Sequence, residues 1–84
     1  MNALHEERQL STEQRRALKF LTDAGREGCT GAMLLSHGFS IGMLDDLVWH
    51  GLATGHREVV KMGGRKVNVA RIQITDAGRR ALEV

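Results

Sequence analysis

The 84-residue sequence has no proline, a single cysteine, and only Phe20, Phe39 and Trp49 as large aromatics. Without proline, the loops must take their unusual backbone angles from glycine, of which there are ten. One cysteine cannot form an internal disulfide, and that usage fits a reducing, intracellular setting. No apolar run approaches the roughly 20 residues that span a bilayer. Met1 to Leu10 carries no apolar stretch of the signal-peptide kind, so a cytoplasmic protein without membrane contact is expected. With so few aromatics, the core must be built from Leu, Ile, Val, Met and Ala. This length suits one domain with a stability of roughly 5 to 10 kcal/mol.

A formal net charge of +2 is too small to require a polyanion partner, but the charge is unevenly placed. Residues 1–54 hold five cations against seven anions, a net −2; residues 55–84 hold seven against three, a net +4. Five of those cations, Arg57, Lys61, Arg65, Lys66 and Arg71, fall within fifteen residues and face only Glu58. Position along the chain therefore matters more than the total.

Residues 1–10 read as a flexible polar lead-in, and 11–84 as a single domain. Ser11-Thr12-Glu13-Gln14 is a capping box opening a helix over about Thr12 to Ala24, with Ala17, Leu18, Leu21 and Ala24 at helical spacing and Phe20 extending the stripe. Arg15, Arg16 and Lys19 form its wet face. Gly25 supplies a left-handed stop. Gly28-Cys29-Thr30 is a short connection or a stub of strand, and Thr30 caps a short second helix that ends at Gly38. Phe39 fills the turn and Ser40 caps a third helix through His50. On a helical wheel Ile41, Met43, Leu44, Leu47 and Val48 share one arc, leaving Gly42, Asp45, Asp46 and Trp49 outward. Gly51-Leu52 has the form of a Schellman stop.

From Glu58 the period falls to near two. Glu58 to Met62 and Lys66 to Ile74 are expected strands joined through Gly63-Gly64-Arg65. The apolar phase of the second is odd at Val67 and Val69 but even at Ala70, Ile72 and Ile74. It therefore holds a bulge or exposes apolar groups on its second face. Thr75 caps a last helix through about Glu83, with Ala77, Ala81 and Leu82 inward.

The helix pair Thr30 to His50, the Leu47-x-x-x-Gly51-Leu52 stop and the run Ile74-Thr75-Asp76-Ala77-Gly78-Arg79 together resemble the winged helix-turn-helix superfamily, in particular the core of MarR-like transcriptional regulators. The resemblance covers about Ser11 to Leu82. It implies an α+β fold: a three-helix bundle, a two-stranded β-hairpin wing and a short C-terminal helix. It also implies duplex DNA as partner, with Ser40, Ile41, Gly42, Asp45 and Asp46 toward the major groove and Lys61, Arg65 and Lys66 at the wing. Longer members dimerise through extra terminal helices and hold effectors between subunits. This chain has neither helix at full length, so a family-type ligand pocket is not expected.

The third helix departs from that pattern. Base edges and phosphates are usually met by Arg, Lys, Gln, Asn, Ser or Thr. Aspartate can accept from cytosine N4, but a like-charge pair at 4 Å costs about 1 kcal/mol in water and about 4 at an effective dielectric of 20. The nucleic-acid-binding set is accordingly Ser40, Ile41, Gly42, Arg57, Lys61, Arg65, Lys66 and Arg71, weighted to the hairpin. If its five cations neutralise phosphates, log K falls with log salt at a slope of about −4.5. The same charges on a solvated hairpin edge would act only to prevent strand pairing between molecules. The alternative function is a protein-interaction or dimerisation module, with Asp45, Asp46 and Trp49 on one surface and Val67 with Val69 on another.

Other sites are weaker. Cys29 precedes a helix N-terminus, which favours thiolate, but no second cysteine can resolve an oxidised thiol, and a small buried residue is the preferred reading. His37, His50 and His56 with Cys29 match no compact ligand spacing; no metal or cofactor is expected. The two histidines at helix ends suit C-terminal carbonyls. Trp49 either packs over the hairpin or lead-in or is a contact residue. Gly63-Gly64-Arg65-Lys66 lacks Walker spacing. With no nucleophile beside a base and no carboxylate pair around a pocket, an enzyme is not expected.

Overall fold

Four hydroxyl side chains begin the four helices of the computed structural model, which describes residues 10–83. Helix α1 spans Thr12–Asp23, α2 Gly31–Ser36, α3 Ile41–Trp49 and α4 Asp76–Leu82. Ser11, Thr30, Ser40 and Thr75 accept from the backbone N–H of Gln14, Met33, Met43 and Gly78 at 3.0 to 3.2 Å. Each bond satisfies a donor that the first turn leaves free. At α1 the box is reciprocal, since the Ser11 N–H donates to Gln14 Oε1 at 2.9 Å. Leu10 is half-buried against the core; the rest of the expected lead-in lies outside the described residues.

Strands β1 (Cys29–Thr30), β2 (Ala53–Met62) and β3 (Arg65–Ile74) form one antiparallel sheet in the order β1-β3-β2. A two-stranded hairpin was expected; the sheet has three strands. Cys29 pairs with Ile72 and Thr30 with Arg71, a stub too short to show a period. β2 also begins at Ala53 rather than Glu58, because Thr54, Gly55 and His56 extend the ladder without an apolar alternation to announce it. The register runs unbroken from Ala53↔Ile74 to Met62↔Arg65, so β3 has no bulge and its odd-numbered valines lie on a second face. Gly63 and Gly64, with φ of 58° and 82°, make the two-residue turn in which both central residues are left-handed, the turn whose twist matches the strands.

The core joins Ala17, Leu18 and Leu21 of α1, Leu34 of α2, Phe39, and Leu44 and Leu47 of α3 to Ala53, Ile72 and Ile74 of the sheet. α3 ends as expected: the Leu52 N–H reaches Leu47 O at 2.9 Å and Gly51 N–H reaches Val48 O at 3.0 Å, the two bonds of a Schellman stop. Thr75 ties α4 to that stop through Gly51 O at 2.7 Å, and Gly78 lets the helix approach Leu52 where a Cβ would stand 2.2 Å from its carbonyl oxygen. Ile41 and Val48, expected inward, are 60% and 38% exposed. The arc proposed for them is about 160° wide at 100° per residue, and α3 buries only the narrower sector of Met43, Leu44 and Leu47.

Candidate nucleic-acid and protein contact surface

The register sorts the hairpin's charges. Directly opposed residues share a face, so Ala53, Gly55, Arg57, Val59 and Lys61 lie with Lys66, Asn68, Ala70, Ile72 and Ile74. Buried Ala53, Ile72 and Ile74 make this the helix side of the sheet. Farther along it stand Arg57, Lys61 and Lys66, with no anion, and Lys61 and Lys66 are direct cross-strand partners. Like charges placed opposite one another weaken a ladder, so the pair is not there for the sheet's stability.

The opposite face is different. Arg71 Nε donates to Glu58 Oε2, and its Nη1 reaches Glu27 O at 3.3 Å. His56 Nε2 lies 3.9 Å from the same carboxylate, and Gln73 donates to Arg26 O at 2.6 Å. Arg71 is thus spent on joining the hairpin to the turn after α1, and only Arg65 of this face projects as a free cation at the hairpin end. Among the described residues, no ion pair includes Arg57, Lys61, Arg65 or Lys66. Two of the three α1 cations are likewise engaged: Arg16 pairs with Glu13 and lies 5.3 Å over the Phe39 ring, and Arg15 reaches Leu82 O at 3.4 Å, while Lys19 is exposed and in none of the described ion pairs.

On α3, Ser40 is occupied as a cap, Ile41 is exposed and Gly42 opens onto empty space. One turn further, Asp45, Val48 and Trp49 continue the same outward stripe, Trp49 being 85% exposed. A cleft of about 670 Å³ has Asp45, Asp46 and Trp49 on one wall and His56 and Arg57 on the other. Beside it, a second groove of about 650 Å³ runs along the edge of β3, which β1 leaves unpaired before Arg71. Leu35, Ile41, Asp45, Met62 and Val67 line it. The structure therefore brings Asp45, Asp46 and Trp49 beside Arg57, keeps Lys61, Arg65 and Lys66 at the hairpin end, and turns Arg71 away. Leu35, Met62 and the exposure of Ile41 and Val48 have no signal in the sequence beyond an apolar arc too wide for a nine-residue helix to bury.

Cys29 is buried, and burial pushes its thiol above the ordinary range, against a smaller lowering by the Arg71 charge. That favours the inert thiol over a redox-active thiolate. His50 Nδ1 sits 2.8 Å from Asp46 O, as expected at a helix end, whereas the His37 ring packs edge-on to Phe20 at 4.6 Å. No described helix is long and apolar enough to cross a membrane, and no described group of three His, Cys, Asp or Glu is placed to hold a metal. Compared with family models, curated proteins and solved structures, the chain matches none.

Proposed function

We propose that the chain is a winged-helix protein that binds duplex DNA through the backbone, as a transcriptional regulator would, with the hairpin rather than α3 as the principal contact. The order of three helices, a hairpin stitched back by a short first strand and a closing helix supports the fold assignment. One observation carries the function: Arg57, Lys61 and Lys66 share one face of the hairpin outside every described ion pair, and Lys61 and Lys66 are opposed in a pairing that costs the ladder. Phosphates are the partner that such a row satisfies, and backbone contacts position a protein without reading sequence. Asp45 and Asp46 keep α3 from deep insertion in a groove.

Three phosphate contacts give a salt slope of roughly −2.7, at about 0.9 per contact. Fluorescence polarisation of a random duplex titrated across salt concentrations tests this. Lys66→Ala should weaken binding alike for all sequences and reduce the slope by about 0.9. Absence of duplex binding at low salt by folded protein discards the reading.

A second reading, a protein-contact module, is favoured by a separate observation: Ile41, Val48 and Trp49 make an outward apolar stripe on α3. It gives α3 the role that the duplex reading leaves empty.

A further inference from the structure

We infer that the surface formed by α3 and the hairpin is self-complementary, and that its occupant is a second copy of this chain, the hairpin end of each lying across α3 of the other. The inference rests on the protein-contact reading and names its partner.

The charges of this one surface are segregated. The outward side of α3 carries Asp45 and Asp46 and no cation; the hairpin end carries Lys61, Arg65 and Lys66 and no anion. Within one molecule these groups do not pair, since the described ion pairs include neither the aspartates nor those three cations. A two-fold axis between copies sets each helix against the other's hairpin end and pairs both sets at once, the reciprocity that a closed, isologous dimer demands. Any other partner must bring an acidic and a basic patch of its own in matching order; a second copy has both.

Apolar area lies where the charges need it. Ile41, Trp49, Met62 and Val67 are all exposed, and Ile41, Asp45, Met62 and Val67 border one groove. Ile41, Met62 and Val67 thus give that groove an apolar lining beside Asp45, and Trp49, of the residue type that most often dominates a contact, stands in the adjoining cleft with Asp46 and Arg57. A stable interface needs about 800 Å² a side. That is roughly an eighth of the 6052 Å² of accessible surface.

Trp49 is the sole tryptophan, so its emission reports on this surface alone. Sedimentation velocity from micromolar to millimolar protein, with Trp49 emission read in parallel, is the test. The expected result is a dimer that forms with rising concentration, weakens with added salt, and shifts Trp49 emission to the blue. Asp45→Lys with Asp46→Lys, and separately Lys61→Glu with Lys66→Glu, should each remain monomeric over that range. Mixed in equal amounts, the two variants should form a heterodimer with the blue shift restored, because both contacts are again of opposite sign; that rescue also shows both variants folded. A monomer at every concentration overturns the second copy as occupant. A dimer that survives both reversals and Trp49→Ala keeps a protein-contact function but overturns this surface.

Discussion

Gly28 shows how much can depend on one missing Cβ. Its φ of 70° and ψ of −152° lie in a region that is essentially glycine's alone, and an added Cβ would stand 2.0 Å from Ile72 O and 2.9 Å from Gln73 Cγ. Through this residue the chain leaves the turn after α1 and comes beside β3, so β1 exists because Gly28 admits it. Gly28→Ala should cost about 2 to 4 kcal/mol, from backbone strain and from overpacking against a carbonyl that cannot move freely. Gly42, in the first turn of α3, has ordinary φ and open space around it. Gly42→Ala should instead stabilise by about 0.5 to 1 kcal/mol. Urea denaturation of the two variants checks the contrast, and equal midpoints would mean that the approach of Gly28 to Ile72 is not tight in solution. Nothing in a single sequence separates these two glycines, because one is defined by a neighbour 44 residues away. The hydroxyl caps, by contrast, are local, and Ser11, Thr30, Ser40 and Thr75 were all legible.

At the scale of elements, legibility followed period and length. α1, with twelve residues and a capping box, reads directly from the chain, and so does the stop of α3 at Gly51-Leu52. β1 does not, since two residues have no alternation, and the first half of β2 does not, since Thr54 to Arg57 are exposed on both faces. The apolar arc of α3 is wider than the sector it buries for the same kind of reason: a wheel shows which residues are apolar, but the width of the buried sector is set by what packs on it. Here α1 and the sheet cover Leu44 and Leu47 and leave Ile41 outside. Truncation separates the two roles. Leu47→Ala, at a position with no exposure, should cost about 2 to 5 kcal/mol. Ile41→Ala should stay within about 0.5 kcal/mol by the same melt. A large loss at Ile41 would place it in the core and remove it from the contact surface.

At the scale of the whole molecule, the uneven charge of the sequence becomes a spatial division among the described residues, with Asp45 and Asp46 of α3 facing outward beside a basic hairpin. The described residues span 54 by 21 by 18 Å, as expected when two strands of about 33 Å project from a small helical bundle. That projection exposes Lys61, Arg65 and Lys66 to any polyanion and equally to Asp45 and Asp46 of another copy. Each cation can satisfy one partner at a time, so if the proposed duplex and second copy both use the hairpin they are linked by mass action, each lowering the hairpin's affinity for the other. Adding duplex DNA to the dimer at low salt should therefore release monomers, and Trp49 emission should return toward the red as its shelter is lost. The linkage also has a sign that a charge change reverses. Asp45→Lys with Asp46→Lys should remove the proposed competing dimer and adds cations beside Arg57, so this variant should bind duplex more tightly than the parent chain and with a steeper salt slope. If duplex binds the intact dimer with no change in sedimentation or emission, the hairpin cations are not shared. The two partners then occupy different parts of the surface.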